Sequence, residues 1–334
     1  MPEPTRWHID LPGTRVDEFP WRIHAHEFDG GPGSGPATCI LAGMIGDKPL
    51  GVLTLHKLIA TLRPLPLKGR VIVIPCVNPF GFQGSTRHNP DLVELNRRFP
   101  GSAGGMVSDQ LAHAVFTMLK ERVDAVIDVH SGTPVRATEF AYDYGNLEFT
   151  ASFGYIPVMV ARHTPGSLCL VAKQAGMQSA LIEFGGAELN STDKAIAGLL
   201  NMLRFRGHLD DAPTGPDKVD ILDQVKLFVA SRDGALDSPY GAAHVGKPVK
   251  PGVIGWVSSI TTGERLEEFI VEDIGEPAGT GPGFDRWGPS VMKPFVPKAP
   301  PILMVCQAVP AMVRPGILTY MAGWVGDTIS TPRR

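Results

Sequence analysis

The sequence predicts an α/β fold, a mainly parallel (mixed) sheet flanked by helices, with a smaller C-terminal β-rich domain. Three observations predict it. Short apolar runs rich in β-branched residues alternate with stretches of helical period as far as Leu203, which is the pattern of βαβ units. After Pro213 glycine and proline become frequent and the helical period disappears. Hydrophobic residues make up 43% and charged residues 19% of 334, a balance that supports one large core, since single cores stop growing near ~250–300 residues.

Taken in order, the chain opens on a polar stretch and reaches its first strand candidate at Ala37–Ala42. Leu50, Leu53, Leu58 and Leu62 then recur at helical intervals, as a helix covering the sheet requires. Arg70–Ile74 is the second strand, followed by a long loop punctuated by glycine and proline. Leu111, Val115, Met118 and Leu119 mark the next helix, Ala125–Val129, Ile156–Val160 and Ala180–Phe184 are further strands, and Ile196, Leu199, Leu200 and Leu203 mark another helix. A boundary is expected near 212–225, dividing the chain into an α/β domain over 1–212 and a β-rich domain over 225–334, where Gly252–Val257 and Pro301–Ala308 read as strands. The glycine- and proline-rich stretch Glu276–Gly288 reads as a long loop, and no phosphate cradle is expected there because no helix follows.

Composition also bounds the partners. The formal net charge is −3 and no run of Lys or Arg forms a footprint for nucleic acid or anionic lipid, so a small molecule is the expected partner. The opening MPEPTRWHIDLPG lacks the apolar core of a signal peptide, and no stretch of about 18 apolar residues could span a bilayer. A cytoplasmic protein is expected, with no membrane partner and with a homo-oligomer left open. The four cysteines are scattered without CxxC spacing, so neither a disulfide framework nor a thiolate zinc site is expected.

In open α/β sheets, ligand sites gather beyond the carboxyl ends of the strands. Four segments should end there: Gly43–Lys48 (GMIGDK), Asn78–Gly101 (NPFGFQGSTRHNPDLVELNRRFPG), Asp128–Gly132 (DVHSG) and Glu183–Gly186 (EFGG). The second carries Arg87, Asn96, Arg97 and Arg98, and guanidinium forks beside an amide suit a carboxylate; the plainer reading, favoured for Arg98, is surface ion pairing. His130 sits at the rim of the sheet, where a lone histidine is more often a hydrogen-bonded structural residue than a ligand. Glu183, a carboxylate at a strand end after three apolar residues, needs a partner or a chemical role.

The Asn78–Gly101 stretch resembles the succinylglutamate desuccinylase/aspartoacylase family, whose members carry a comparable N-P-x-G…R…D-L-N-R-x-F-P-G run. DVHSG resembles the family's D-x-H segment and EFGG its E-x-G segment, in the same order, over roughly residues 35–205. The β-rich tail is similar, more loosely, to the family's barrel-like domain. The resemblance implies a zinc-carboxypeptidase-like fold, zinc as cofactor and a deacylase acting on a small N-acylated, carboxylate-bearing metabolite. It also implies that His130 is a zinc ligand, Arg87 the oxyanion stabiliser, Asn96 with Arg97 the substrate-carboxylate clamp and Glu183 the general acid/base.

The sequence departs from the family in its first segment, where the family reads G-x-H-G-x-E. Ile45 stands at the histidine ligand and Lys48 at the glutamate ligand. Isoleucine offers no lone pair and a protonated lysine repels a dication, while a catalytic zinc normally takes three protein ligands. Asp47, one residue out of register, is the candidate substitute ligand. Two readings of Lys48 stand side by side: its ammonium replaces the metal against Glu183, or it snorkels to solvent. Accordingly three functions remain: a desuccinylase-like amidohydrolase, with altered metal-free chemistry in which Lys48 takes part; a non-catalytic small-molecule-binding pseudoenzyme; and a metallocarboxypeptidase.

Overall fold

Aliphatic runs buried on both faces form the middle of the sheet, as parallel strands covered by helices require. The computed structural model describes residues 3–14, 20–31, 35–160, 164–271, 301–307, 311–313 and 318–331. The loop expected over Glu276–Gly288 lies outside the described residues, as does Ala308. The strands are β1 (Thr5–Thr14), β2 (Pro20–Asp29), β3 (Ala37–Ala42), β4 (Arg70–Ile74), β5 (Ala125–Ser131), β6 (Arg136–Asp143), β7 (Val158–Met159), β8 (Gln178–Gly185), β9 (Lys218–Val229), β10 (Gly234–Asp237), β11 (Gly252–Ser258), β12 (Arg265–Val271), β13 (Ile302–Gln307), β14 (Ala311–Val313) and β15 (Leu318–Ser330). The helices are α1 (Pro49–Leu62), α2 (Pro79–Gly84), α3 (Val107–Arg122), α4 (Leu147–Ala151), α5 (Leu168–Gln174) and α6 (Thr192–Phe205).

Among the described residues, one sheet runs β1-β2-β4-β3-β5-β8-β6-β13-β15-β9-β7 and a smaller one β12-β11-β10-β14. Its parallel centre is β4-β3-β5-β8. Antiparallel strands flank that centre, with β2 on β4 and β6 on β8. One face is covered by Leu55, Leu58 and Leu62 of α1 and Leu199, Met202 and Leu203 of α6. The other is covered by Leu111, Val115 and Leu119 of α3 and by Leu168 and Ala172 of α5. Leu53 departs from the expected helical stripe and is exposed, because the inward face of α1 runs through Val52, Leu55, Ile59 and Leu62 instead.

The sheet does not end where the helical period ends. Strands β13, β15 and β9 follow β6 in the same sheet, and β7 pairs with both β6 and β9. These five strands close on themselves around Phe140, Met159, Leu222, Met304 and Met321. The smaller sheet carries its own cluster, including Ile254, Val257, Phe269 and Tyr320. All four cysteines are free thiols. Among the described residues no helix is long and apolar enough to cross a membrane.

Candidate active site

The carboxyl ends of β3, β5 and β8 open on one place, and two loops are held together there by backbone contact. Gly43 leaves β3 with φ +70°, a conformation that favours glycine. Three residues on, a Cβ at Gly46 would stand 1.8 Å from the Gly81 carbonyl oxygen, so only glycine permits this approach. The Gly46 N–H donates to Thr86 O at 3.0 Å. Asn78, fully buried, caps α2 by accepting from Gly81 N–H and donates to Met44 O at 3.1 Å and to Asn89 Oδ1 at 2.8 Å.

Lys48 is fixed next, immediately before Pro49 at the start of α1. It is buried, and its Nζ donates to both oxygens of Glu183, at 2.9 and 3.0 Å. The lysine therefore pairs inside the site and does not snorkel to solvent. His130 and Glu183 are register partners on β5 and β8. The His130 Nδ1 lies 3.6 Å from Glu183 Oε1, and its Nε2 lies 3.1 Å from Asp128 Oδ2, at ion-pair distance but without hydrogen-bond alignment. Thr138 of β6 adds a long donor contact of 3.5 Å to Glu183 Oε2.

Burial pulls the pKa of Lys48 down by more than the neighbouring Glu183 restores. Burial pushes Glu183 up, yet Lys48, His130 and Arg136 together outweigh it and leave the carboxyl below the usual range. Both values move down, with opposite effects on charge: Lys48 is drawn toward its neutral form by burial, with Arg136 and Arg87 nearby, whereas Glu183 is held in its charged form, chiefly by Lys48. Glu183 is therefore an anion at neutral pH.

The Asn78–Gly101 loop places its cations differently from a free clamp. Arg87 forms a fork on Glu94, with Nε to Oε2 at 3.0 Å and Nη2 to Oε1 at 3.1 Å. The Arg97 guanidinium shares that carboxylate at 3.2 Å and donates to Asn96 O at 2.7 Å. Asn96 is buried, and its Oδ1 accepts from the Leu168 N–H that opens α5, at 2.9 Å. Arg98 pairs with Asp109 near the surface. Ile45 belongs to an apolar cluster with Met44, Val77, Leu95 and Phe99. Asp47 keeps a buried Oδ1 that accepts no hydrogen bond among the described residues. No three His, Cys, Asp or Glu side chains among the described residues gather where they could hold a metal ion.

Two site residues were not singled out from sequence. Glu94 was hidden by its place inside the matched run, although a carboxylate in a loop of arginines is itself a signal. Arg136 begins β6, a strand whose polar composition (RATEFAYD) conceals it.

Comparison with known proteins follows the same lines. The model of the succinylglutamate desuccinylase/aspartoacylase catalytic domain matches residues 34–206. The chain is 37% identical over 266 residues to an N-α-acetyl-L-2,4-diaminobutyric acid deacetylase of Halomonas elongata, covering 73% of this chain and 77% of that one. It shares its fold with a succinylglutamate desuccinylase of a Silicibacter species, at TM-score 0.77 and 22% identity over 97% of this chain and 96% of the other. The product-bound ectoine utilization protein EutE (DoeB) of Ruegeria pomeroyi gives a TM-score of 0.74 at 21% identity, over 95% and 94% of the two chains.

Proposed function

Because the chain belongs to the succinylglutamate desuccinylase/aspartoacylase family, we propose that it is an amidohydrolase removing the acyl group from a small N-acylated amino acid. The relative from Halomonas elongata, a deacetylase of N-α-acetyl-L-2,4-diaminobutyric acid, supports that substrate class. The observation that carries the reading is the partly buried Glu183, held between Lys48 and His130 at the ends of β3, β5 and β8.

Zinc does not fit the donors present. At two of the positions to which the resemblance assigns zinc ligands stand Ile45, buried among apolar side chains, and Lys48, whose ammonium puts a positive charge 2.9 Å from Glu183. The chemistry is therefore assigned to the chain's own groups. Glu183 takes a proton from water as the water oxygen bonds to the acyl carbon, and the carbonyl π pair moves onto its oxygen. That oxyanion is met by the Lys48 ammonium and by the Nη1 side of Arg87, whose Nε and Nη2 stay on Glu94. Turning Lys48 from Glu183 toward the carbonyl removes the cation that holds the carboxyl's pKa down, so the carboxylate becomes a stronger base as the substrate seats. Glu183 then gives the proton to the amide nitrogen as the oxyanion pair re-forms the carbonyl and the C–N bond breaks, leaving an amine and a carboxylic acid whose proton passes to solvent.

The two-point hold of Lys48 on Glu183 also favours a second reading, a small-molecule-binding pseudoenzyme in which the base stays paired. One experiment separates them. The purified protein is incubated with N-α-acetyl-L-2,4-diaminobutyric acid and related N-acyl amino acids, with and without chelator, and free amine is measured. Turnover indifferent to chelator and lowered at least ~100-fold in Glu183→Gln is expected, in line with the loss of a general base. Turnover that requires added zinc overturns the metal-free assignment, and binding without turnover leaves the pseudoenzyme.

A further inference from the structure

The cations around the site differ in what they already hold. Lys48 is paired with Glu183, Arg87 and Arg97 share Glu94, and Arg98 is paired with Asp109. Arg136 is different: among the described residues its guanidinium forms no hydrogen bond and no ion pair. Its half-buried guanidinium thus keeps all five N–H donors available to a ligand.

The strand fixes where that group lies. In the β6–β8 register Phe140 stands opposite Glu183 and Thr138 opposite Gly185. Residues 136 and 138 share one face of β6, because side chains alternate along a strand. Thr138 reaches Glu183 from that face, so Arg136 is one step farther out on the same side, at the mouth of the site. Its backbone is clamped: the N–H donates to Thr133 O at 3.2 Å, and a Cβ on Gly132 or Gly186 would come within 2.0 or 2.5 Å of its carbonyl oxygen. Its charge is felt at Glu183 and at Lys48. A fixed backbone with a free guanidinium fork is a receptor for a planar carboxylate.

We propose that Arg136 receives the carboxylate of the substrate, the task that the family resemblance gives to Arg97. Arg97 is neutralised by Glu94 and lies against its own loop, where it supports Asn96. This assignment rests on the deacylase reading of the same site and adds the group that selects an anionic substrate. The carboxylate can belong to the amino-acid half or to the acyl half of the molecule, and two probes distinguish these.

The test is calorimetric titration of the intact protein with an N-acetyl amino acid, whose carboxylate is on the amino-acid side, and with an N-succinyl amine, whose carboxylate is on the acyl side. Arg136→Gln is expected to weaken the probe that the wild type binds by roughly 10- to 100-fold, the loss of charged hydrogen bonds. Arg136→Lys should recover part of the affinity by keeping charge without the fork, and serves as the variant if the glutamine form does not fold. Arg97→Gln should change affinity less than Arg136→Gln. Unchanged affinity in Arg136→Gln, a larger loss in Arg97→Gln, or no binding of either probe by the wild type overturns the proposal. Binding that depends on Arg136 with no turnover of either probe removes the deacylase reading and leaves Arg136 as the anion receptor.

Discussion

At the scale of single residues, the pair of buried Lys48 and partly buried Glu183 sets both charge and stability. Removing one partner of such a pair strands the other and costs roughly 3–5 kcal/mol. Glu183→Gln should therefore lower the urea midpoint at neutral pH, and the sign of its pH dependence follows from linkage. The folded carboxyl titrates below its unfolded value, so its contribution is present above about pH 4.3 and is lost as pH falls through the folded value. The stability gap between wild type and Glu183→Gln should thus shrink between pH 7 and pH 3; a gap constant over that range would sink the assignment of the ion pair. The sequence made the chemistry of Lys48, His130 and Glu183 legible because each follows an apolar strand or sits in a recognisable motif. It did not reveal Arg136 or the hold of Glu94 on Arg87 and Arg97, because which of several arginines is neutralised depends on side chains brought together by the fold.

At the scale of elements, β3 and β4 have the bounds that their aliphatic runs give, Ala37–Ala42 and Arg70–Ile74. Such runs, buried on both faces, have little else to become. The hairpin β1–β2 was not read, because His24, Arg22 and Asp10 stand on it as exposed or charged positions of an edge pair. Strand β6 was missed for the opposite reason: it buries Thr138, Glu139 and Asp143, polar residues that its partners satisfy. The joint between the Gly43–Lys48 and Asn78–Gly101 segments makes a direct prediction. A methyl group at Gly46 meets the Gly81 carbonyl at 1.8 Å, and backbone cannot yield as a side-chain tip does. Gly46→Ala should cost about 1–3 kcal/mol, the usual range for overpacking, and should loosen Lys48 two residues away. Chemical denaturation checks the first effect, and an unaltered midpoint would show that the two loops are free to separate.

At the scale of the whole molecule, the composition shift after Pro213 marks a change of texture that the sheet itself crosses. Strands β9, β13 and β15 stand between β6 and β7 in the large sheet, and the cluster they enclose joins Phe140 and Met159 to Leu222, Met304 and Met321. A chain ending at residue 212 would leave the outer edge of β6 without β13 and would leave β7 without β9. It would bare both an unpaired strand edge, a template for aggregation, and the apolar side chains that the missing strands cover. The same strand carries Arg136 at its start and Thr138 at the site, so loss of the tail would reach the chemistry through β6. We predict that residues 1–212 alone are insoluble or lack a cooperative transition, and that the full chain loses the large-sheet signal and the Arg136-dependent affinity in a single thermal step. Circular dichroism and calorimetry of the two chains measure this. A soluble 1–212 fragment with a sharp transition would mean instead that β6 and β7 are held by β8 and the helices alone, and that the tail is an independent attachment.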